Sequence, residues 1–140
     1  MVDKAVLAKR VAGIRDAVAR IKLVLPATTQ EFAADRTARE VVILNLFVAL
    51  QDTLALAVHW LADEGSDVPQ AYRDVFRTLG EKGVLSADLA GRLAAASGLR
   101  NLVAHQYGTL DWTRIHAVAA TELDDLLLFC RELARQAEGS

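Results

Sequence analysis

Chemically reactive side chains are scarce in this sequence of 140 residues, which contains one cysteine and three histidines. The lone Cys130 cannot form an internal disulfide, so the sequence favours a reducing compartment. No two histidines stand four residues apart, and neither a glycine-rich phosphate loop nor a strand-turn-helix serine motif occurs. The sequence therefore predicts no metal site, no cofactor and no serine hydrolase.

Prolines and aromatic residues are also few. The chain has 2 prolines and 6% aromatic residues, whereas 53% of its residues are hydrophobic, mostly alanine, leucine and valine. This composition is typical of packed helices rather than of a β-sandwich, and the length suits one core. We therefore expect one all-α domain over residues 1–140, an antiparallel up-and-down bundle of four long helices plus a short helix.

Long uninterrupted apolar runs and an excess of positive charge are lacking as well. The longest apolar stretch, residues 41–61, contains Asn45, Gln51, Asp52 and His59, which makes it too polar for a membrane span. The N-terminus has no secretory signal pattern. The formal net charge is −2, whereas proteins held to nucleic acid by counterion release are usually basic. We expect a cytoplasmic protein without a membrane partner, in which any RNA contact is local or depends on an oligomer.

Helical spacing of apolar residues and the positions of capping and turn residues predict the order of elements. The predicted elements are a helix over residues 2–25, a turn with a capping box formed by Thr28 and Glu31, a main helix over residues 36–64, a short helix starting at residues 67–69, a helix from Ser86 toward His105, and one final helix starting at Thr109 or Asp111.

The side chains that carry chemistry are concentrated in one octapeptide, residues 100–107. It contains Arg100, Asn101, His105 and Tyr107. Histidine titrates near neutral pH, and the arginine guanidinium is a planar donor to phosphate. Asn101 and His105 share a helix face, and Arg100 lies about 140° from His105 around the axis. The pattern indicates cleavage of RNA, with His105 as base or acid, Arg100 on the phosphate and Asn101 as an orienting residue.

Structural roles for the same residues are an alternative. Arginine and histidine near a helix C-terminus interact favourably with the helix dipole and the last carbonyls, and Tyr107 fits an ordinary half-buried aromatic. For catalysis, one histidine cannot readily serve as base and acid at once. A two-fold homodimer that brings two copies of His105 into one cleft would supply both groups.

A second polar feature is the stripe formed by Asn45, Asp52 and His59, which are spaced by seven on the main helix. Asp52 could line the cleft, pair with Arg100 or shape a dimer contact, and we favour a contact with Arg100 or His105. A hydrogen-bonded structural stripe is the alternative. The remaining histidine, His116, is expected at the surface in the first turn of the last helix.

The set Arg100, Asn101, His105 and Tyr107 matches the Arg, four residues, His, one residue, Tyr signature of a known family. The chain resembles the HepT-like toxins of the HEPN superfamily. Residues 68–79, 83–85 and 98–101, together with Leu89 and Leu93, are similar to the middle portion of that family. The resemblance covers most of the chain.

This resemblance implies a fold, an activity and a partner. It implies a HEPN-like bundle and a metal-independent ribonuclease toxin that acts as a homodimer, with Arg100 and His105 in a cleft at the interface. The implied partner is an MntA-like minimal nucleotidyltransferase antitoxin, which attaches AMP to Tyr107. RNA, not DNA, is the expected substrate of this type VII-like pair. A non-catalytic helical adaptor that docks a minimal nucleotidyltransferase is the alternative function, and the mildly negative charge favours it.

Overall fold

The computed structural model of the protein describes residues 2–105 and 110–139, with residues 100–105 described by their helical backbone alone. These residues are helical apart from short connections, which confirms the predicted all-α class. They form α1 (Lys4–Val24), α2 (Thr29–Ala34), α3 (Arg36–Asp63), α4 (Tyr72–Glu81), α5 (Ala87–His105), α6 (Trp112–Thr121) and α7 (Leu123–Glu138).

Most helices begin where the sequence offers a side-chain oxygen. Asp3, Asp35 and Asp111 accept hydrogen bonds from backbone N–H groups in the first turns of α1, α3 and α6. Thr28 caps α2 as predicted, since Thr28 Oγ1 accepts from the Glu31 N–H at 3.1 Å. The Glu31 carboxylate also reaches back, but it accepts from the Thr28 hydroxyl, at 3.1 Å, and not from the backbone N–H as in a full capping box.

Two connections turn sharply at glycines in the left-handed region. Gly65 has φ 75° and Gly83 has φ 76°. The N–H of the residue after each glycine bonds to a carbonyl of the helix just ended, Ser66 to Leu61 and Val84 to Leu79, both at 3.0 Å. This is the Schellman type of helix ending, in which glycine carries no steric penalty. Ser86 then caps α5, as predicted, by accepting from the Leu89 N–H at 3.2 Å.

Two predicted elements differ near the short helices. Residues 29–34 form a helical turn and a half rather than a simple turn, because fully buried Phe32 anchors them to the core. The short helix begins at Tyr72 and not at residues 67–69. A proline disfavours helical backbone in the residue before it, here Val68, and Ala71 is still extended at φ −85° and ψ 131°.

The predicted final helix is two helices. It starts at Asp111 as expected, but Glu122, at φ −108° and ψ −5°, interrupts it between α6 and α7. Just before the break, the Thr121 hydroxyl donates to the Ala117 carbonyl at 2.7 Å, a bond that bends helices. Buried residues keep their helical spacing across the break, from Ile115 and Ala119 to Leu123 and Leu126, so the sequence pattern alone predicted one helix.

Polar contacts fix the helix directions. Asp63 accepts from the Asp3 N–H at 3.1 Å, and Arg10 Nη1 lies 2.7 Å from Asp52 Oδ1, so the start of α1 meets the end of α3. The Ser86 N–H, at the start of α5, donates to Glu132 in the second half of α7 at 3.2 Å. Arg92, further along α5, pairs with Asp125 near the start of α7. The α1–α3 and α5–α7 pairs are therefore antiparallel, as predicted.

The central helix is α3, which contacts all six other helices. By length and composition α3 is the one candidate membrane span in the described chain, with a mean hydropathy of 2.1 in its best window. Half of that window is buried inside the bundle, and Leu46, Leu56 and Leu61 are fully enclosed. Its apolar character is accounted for in large part by its central position in the core.

The thiol of Cys130 belongs to this core. Its side chain is fully buried, and burial raises its pKa to about 11 against the opposing charge of Arg15. Because only the thiolate is nucleophilic, the native protein should resist an aromatic disulfide reagent at about pH 8, while the unfolded chain reacts. Stoichiometric labelling of the native protein within minutes would contradict this expected resistance.

The raised pKa of Cys130 also contributes to the stability of the fold. This contribution is complete below pH 9.0, the ordinary pKa of the thiol, and it is lost as the pH rises toward 11.

Candidate active site

Arg100, Asn101 and His105 lie on the last two turns of one continuous helix, α5. The helix predicted to run from Ser86 toward His105 is helical as far as His105, the last residue described before residues 106–109. Asn101 and His105 are four residues apart, so their Cα atoms share a face of α5. The side chains of these three residues, and the whole of Tyr107, lie outside the described residues.

The octapeptide is bracketed by two buried leucines. Leu99 is 3% exposed and Leu110 is 8% exposed, and both belong to the main core. Leu99 lines a small cavity together with Leu46 and Leu50 of α3 and Leu123 of α7. Asp111 then starts α6 by accepting from the Thr113 N–H at 3.0 Å. The chain is therefore fixed to the bundle immediately before Arg100 and immediately after Thr109.

A groove of about 380 Å³ runs between α5 and α6 up to Leu99. Arg92, Arg114 and Glu122 provide its charged walls, and small residues of the two helices provide most of the rest. Arg92 Nε lies 3.1 Å from both carboxylate oxygens of Asp125, so its charge is already paired. Arg114 belongs to no sequence motif and was not predicted. The sequence feature that could have pointed to Arg114 is its position in the first turn of the helix that follows the octapeptide.

Each member of the predicted polar stripe has a local partner. Asn45 Nδ2 donates to the Val41 carbonyl at 2.8 Å, and Asp52 pairs with Arg10 at 2.7 Å. His59 Nε2 lies 3.1 Å from Asp63 Oδ2, but it forms no hydrogen bond with any described residue. The contacts of Asn45 and Asp52 fit the hydrogen-bonded structural alternative. Asp52 contacts α1 through Arg10, and it also faces Gly13, where an added Cβ would stand 2.8 Å from Asp52 Oδ2. Support of the cleft by Asn45, Asp52 or His59 stays a prediction.

The expectation that His116 lies at the surface is wrong. His116 is 9% exposed, and its Nε2 lies 2.8 Å from the Pro26 carbonyl oxygen. The nitrogen donates in this bond because a carbonyl only accepts. The ring also packs against Phe32, with 5.6 Å between centroids. His116 therefore joins α6 to the α1–α2 connection. Its spacing from Ile115 and Ala119 places it on the buried face, which is the signal that could have revealed it.

Among the side chains that the structure describes, no three histidine, cysteine, aspartate or glutamate residues come together as metal ligands. The described charged groups near the octapeptide are the Arg92–Asp125 ion pair and the side chains of Arg114 and Glu122 on the walls of the groove.

The sequence matches the family model described as "Ribonuclease HepT-like" over residues 14–133. The chain belongs to the HepT-like ribonuclease family. It is also 28% identical over 124 residues to the mRNA nuclease HepT of Shewanella oneidensis, an alignment that covers 89% of this chain and 92% of the relative. The predicted resemblance is thereby confirmed.

Solved structures confirm the HEPN-like fold. The HepT-like chain matches a chain of the complex of the tri-AMPylated Shewanella oneidensis HEPN toxin with MNT antitoxin, at a TM-score of 0.84 and 27% identity. The match covers 96% of this chain and 99% of that chain. The cytosolic protein YutE of Bacillus subtilis also has a TM-score of 0.84, and at 15% identity it supports the fold alone.

Proposed function

We propose that this HepT-like chain is a metal-independent endoribonuclease toxin of a type VII-like toxin–antitoxin pair. The observation that carries the proposal is the complete set of Arg100, Asn101, His105 and Tyr107 in the sequence of a chain of this family, with the first three on α5. The buried leucines on either side support it, because catalytic groups need rigid attachment to a scaffold.

The proposed reaction needs only proton transfers and charge stabilisation. A base removes the proton of the ribose 2′-hydroxyl, and the 2′-oxygen attacks phosphorus. The bond to the 5′-oxygen breaks, and an acid protonates that leaving oxygen, which leaves a 2′,3′-cyclic phosphate. His105 is the proposed base or acid, Arg100 binds the phosphate oxygens through its paired donors, and Asn101 orients the imidazole or the phosphate.

A homodimer completes this scheme. One histidine cannot act as base and acid in the same step, whereas two copies of His105 across a two-fold axis can divide the roles. The proposed cleft therefore lies at the interface of two copies. A verified monomer that remained helical should lose nuclease activity.

The proposed partner is an MntA-like nucleotidyltransferase antitoxin that attaches AMP to Tyr107. The similarity to a chain in a complex of an AMPylated toxin with its antitoxin supports this. A nucleotide on Tyr107, two residues from His105, would add bulk and negative charge beside the proposed catalytic residues and repel RNA. The pair would work in the cytoplasm, where its RNA substrate is found.

A second candidate function is a non-catalytic adaptor that docks a minimal nucleotidyltransferase. The formal net charge of −2 favours this function, since a chain with net negative charge does not, as a whole, attract the RNA backbone.

Purified protein incubated with RNA in excess EDTA separates the two functions. A metal-independent nuclease cleaves RNA undiminished and leaves cyclic phosphate ends, and its expression without an antitoxin arrests growth. An adaptor does neither. Cleavage that disappears with EDTA and returns with a divalent cation would contradict the metal-independent mechanism.

A further inference from the structure

A second open groove lies between α1 and α7, away from the α5–α6 groove. It has a volume of about 350 Å³ and is lined by Arg15, Val18, Ala19, Lys22, Leu127 and Arg131. We refer to it as the α1–α7 groove. The antiparallel packing of the two helices sets its length, with Lys22 bound to Asp124 at one end.

The walls of the α1–α7 groove are basic. Three of its six lining residues are cations, and none is acidic. Lys22 is paired with Asp124 at 2.9 Å, an exposed ion pair of little energetic value. Arg15 and Arg131 form no ion pair with any residue that the structure describes. The charge of Arg15 reaches across to α7, where it opposes the rise in the pKa of the Cys130 thiol.

This clustering is notable in a protein whose net charge is −2. Two guanidinium groups on facing helices repel one another unless an anion lies between them, and guanidinium is the side chain best suited to phosphate. The floor of the α1–α7 groove is aliphatic, and none of the described residues that line it has an aromatic ring on which a base could stack. The groove thus suits the phosphates of a nucleic acid and not its bases.

The position of the α1–α7 groove relates it to the candidate active site. Asp124, which holds Lys22, lies in the first turn of α7. In the same turn, Leu123 and Leu126 line the same small cavity as Leu99, the residue before Arg100. One turn of α7 therefore adjoins both the Lys22 end of the groove and the end of α5 that carries the octapeptide.

We propose that the α1–α7 groove binds the sugar–phosphate backbone of single-stranded RNA outside the bond that is cleaved, with Arg15 and Arg131 as its phosphate contacts. The inference rests on the proposed ribonuclease function for its choice of RNA. It supplies the local positive surface that a chain of net negative charge needs, and the absence of stacking groups makes the contact independent of sequence.

The test compares two double variants that lose the same charge. The groove variant carries Arg15→Gln and Arg131→Gln, and the control variant carries Arg73→Gln and Arg77→Gln on α4. Binding of a long single-stranded RNA is measured by fluorescence anisotropy against salt concentration, with His105→Ala present in each protein so that RNA stays intact. The groove variant should bind on the order of tenfold more weakly at low salt, and its log Kd against log salt slope should fall by about 1.4 for two lost phosphate contacts. The control should match the parent.

A second readout uses proteins with His105 intact. The groove variant should raise KM for long RNA and leave the kcat for a dinucleotide unchanged, because a dinucleotide is too short to reach both sites. Arg15→Lys with Arg131→Lys keeps the charge and should keep the salt slope, which also guards against a folding defect in the glutamine variant.

Equal Kd and slope in the groove and control variants would overturn the proposal. So would loss of antitoxin binding with RNA binding unchanged, which would assign the groove to a protein partner. If the unmodified protein cleaves no RNA, the ribonuclease function fails, but the anisotropy experiment still decides whether the groove binds RNA.

Discussion

The His105→Ala variant is expected to lose RNA cleavage by about 10²- to 10⁴-fold, the usual contribution of a general acid or base. In a homodimer with a shared cleft the substitution removes the proposed base and the proposed acid together, so the larger value is expected. Cleavage is measured as the initial rate on a long RNA in EDTA, and growth arrest on expression should disappear with it.

The design must separate lost chemistry from lost structure. His105 lies in the last turn of α5, and Leu99 and Leu110 hold the flanking chain in the core, so the variant should keep its helical circular dichroism and melting temperature. Added imidazole should restore part of the activity by replacing the missing side chain. Full cleavage by a folded His105→Ala protein would refute the assignment. Loss of activity with a lowered melting temperature and no rescue would favour the helix-capping role instead.

The parts of the fold that could be predicted from the sequence depend on local interactions. Asp111 and Ser86 start helices because their oxygens accept N–H groups two to three residues ahead, which the sequence order alone reveals. The first helix, predicted over residues 2–25, follows from the spacing of its apolar residues in the same way.

The parts of the fold that differed from the prediction depend on contacts between segments that are distant in the sequence. His116 is buried because the Pro26 carbonyl and the Phe32 ring, far away in the sequence, meet it. Residues 29–34 become helical because Phe32 fills the core. For the candidate site, the octapeptide could be predicted from the sequence because its reactive side chains all lie in one short segment. The α1–α7 groove was not, because Arg15 and Arg131 come together only when α1 and α7 pack.

The Tyr107→Phe variant is expected to stay active as a nuclease and to escape silencing by the antitoxin. The phenolic oxygen is the proposed acceptor of AMP, and phenylalanine removes that oxygen while keeping the ring. Proteins are co-expressed with the nucleotidyltransferase and their intact masses are compared. The unchanged sequence should gain the mass of one or more AMP groups and lose activity, whereas Tyr107→Phe should gain none and continue to arrest growth.

Tyr72→Phe is the matched control for this experiment, since Tyr72 is the other of the two tyrosines in the chain. It lies half-buried at the start of α4, and its variant should be modified and silenced like the parent. Equal mass gain in Tyr107→Phe would move the modification to another residue. Silencing of the unchanged sequence without any mass gain, in the presence of an active transferase, would mean that the antitoxin acts by binding alone. The negative charge that the scheme places beside Arg100 and His105 would then come from the antitoxin surface, and the Tyr107→Phe protein would be silenced as well.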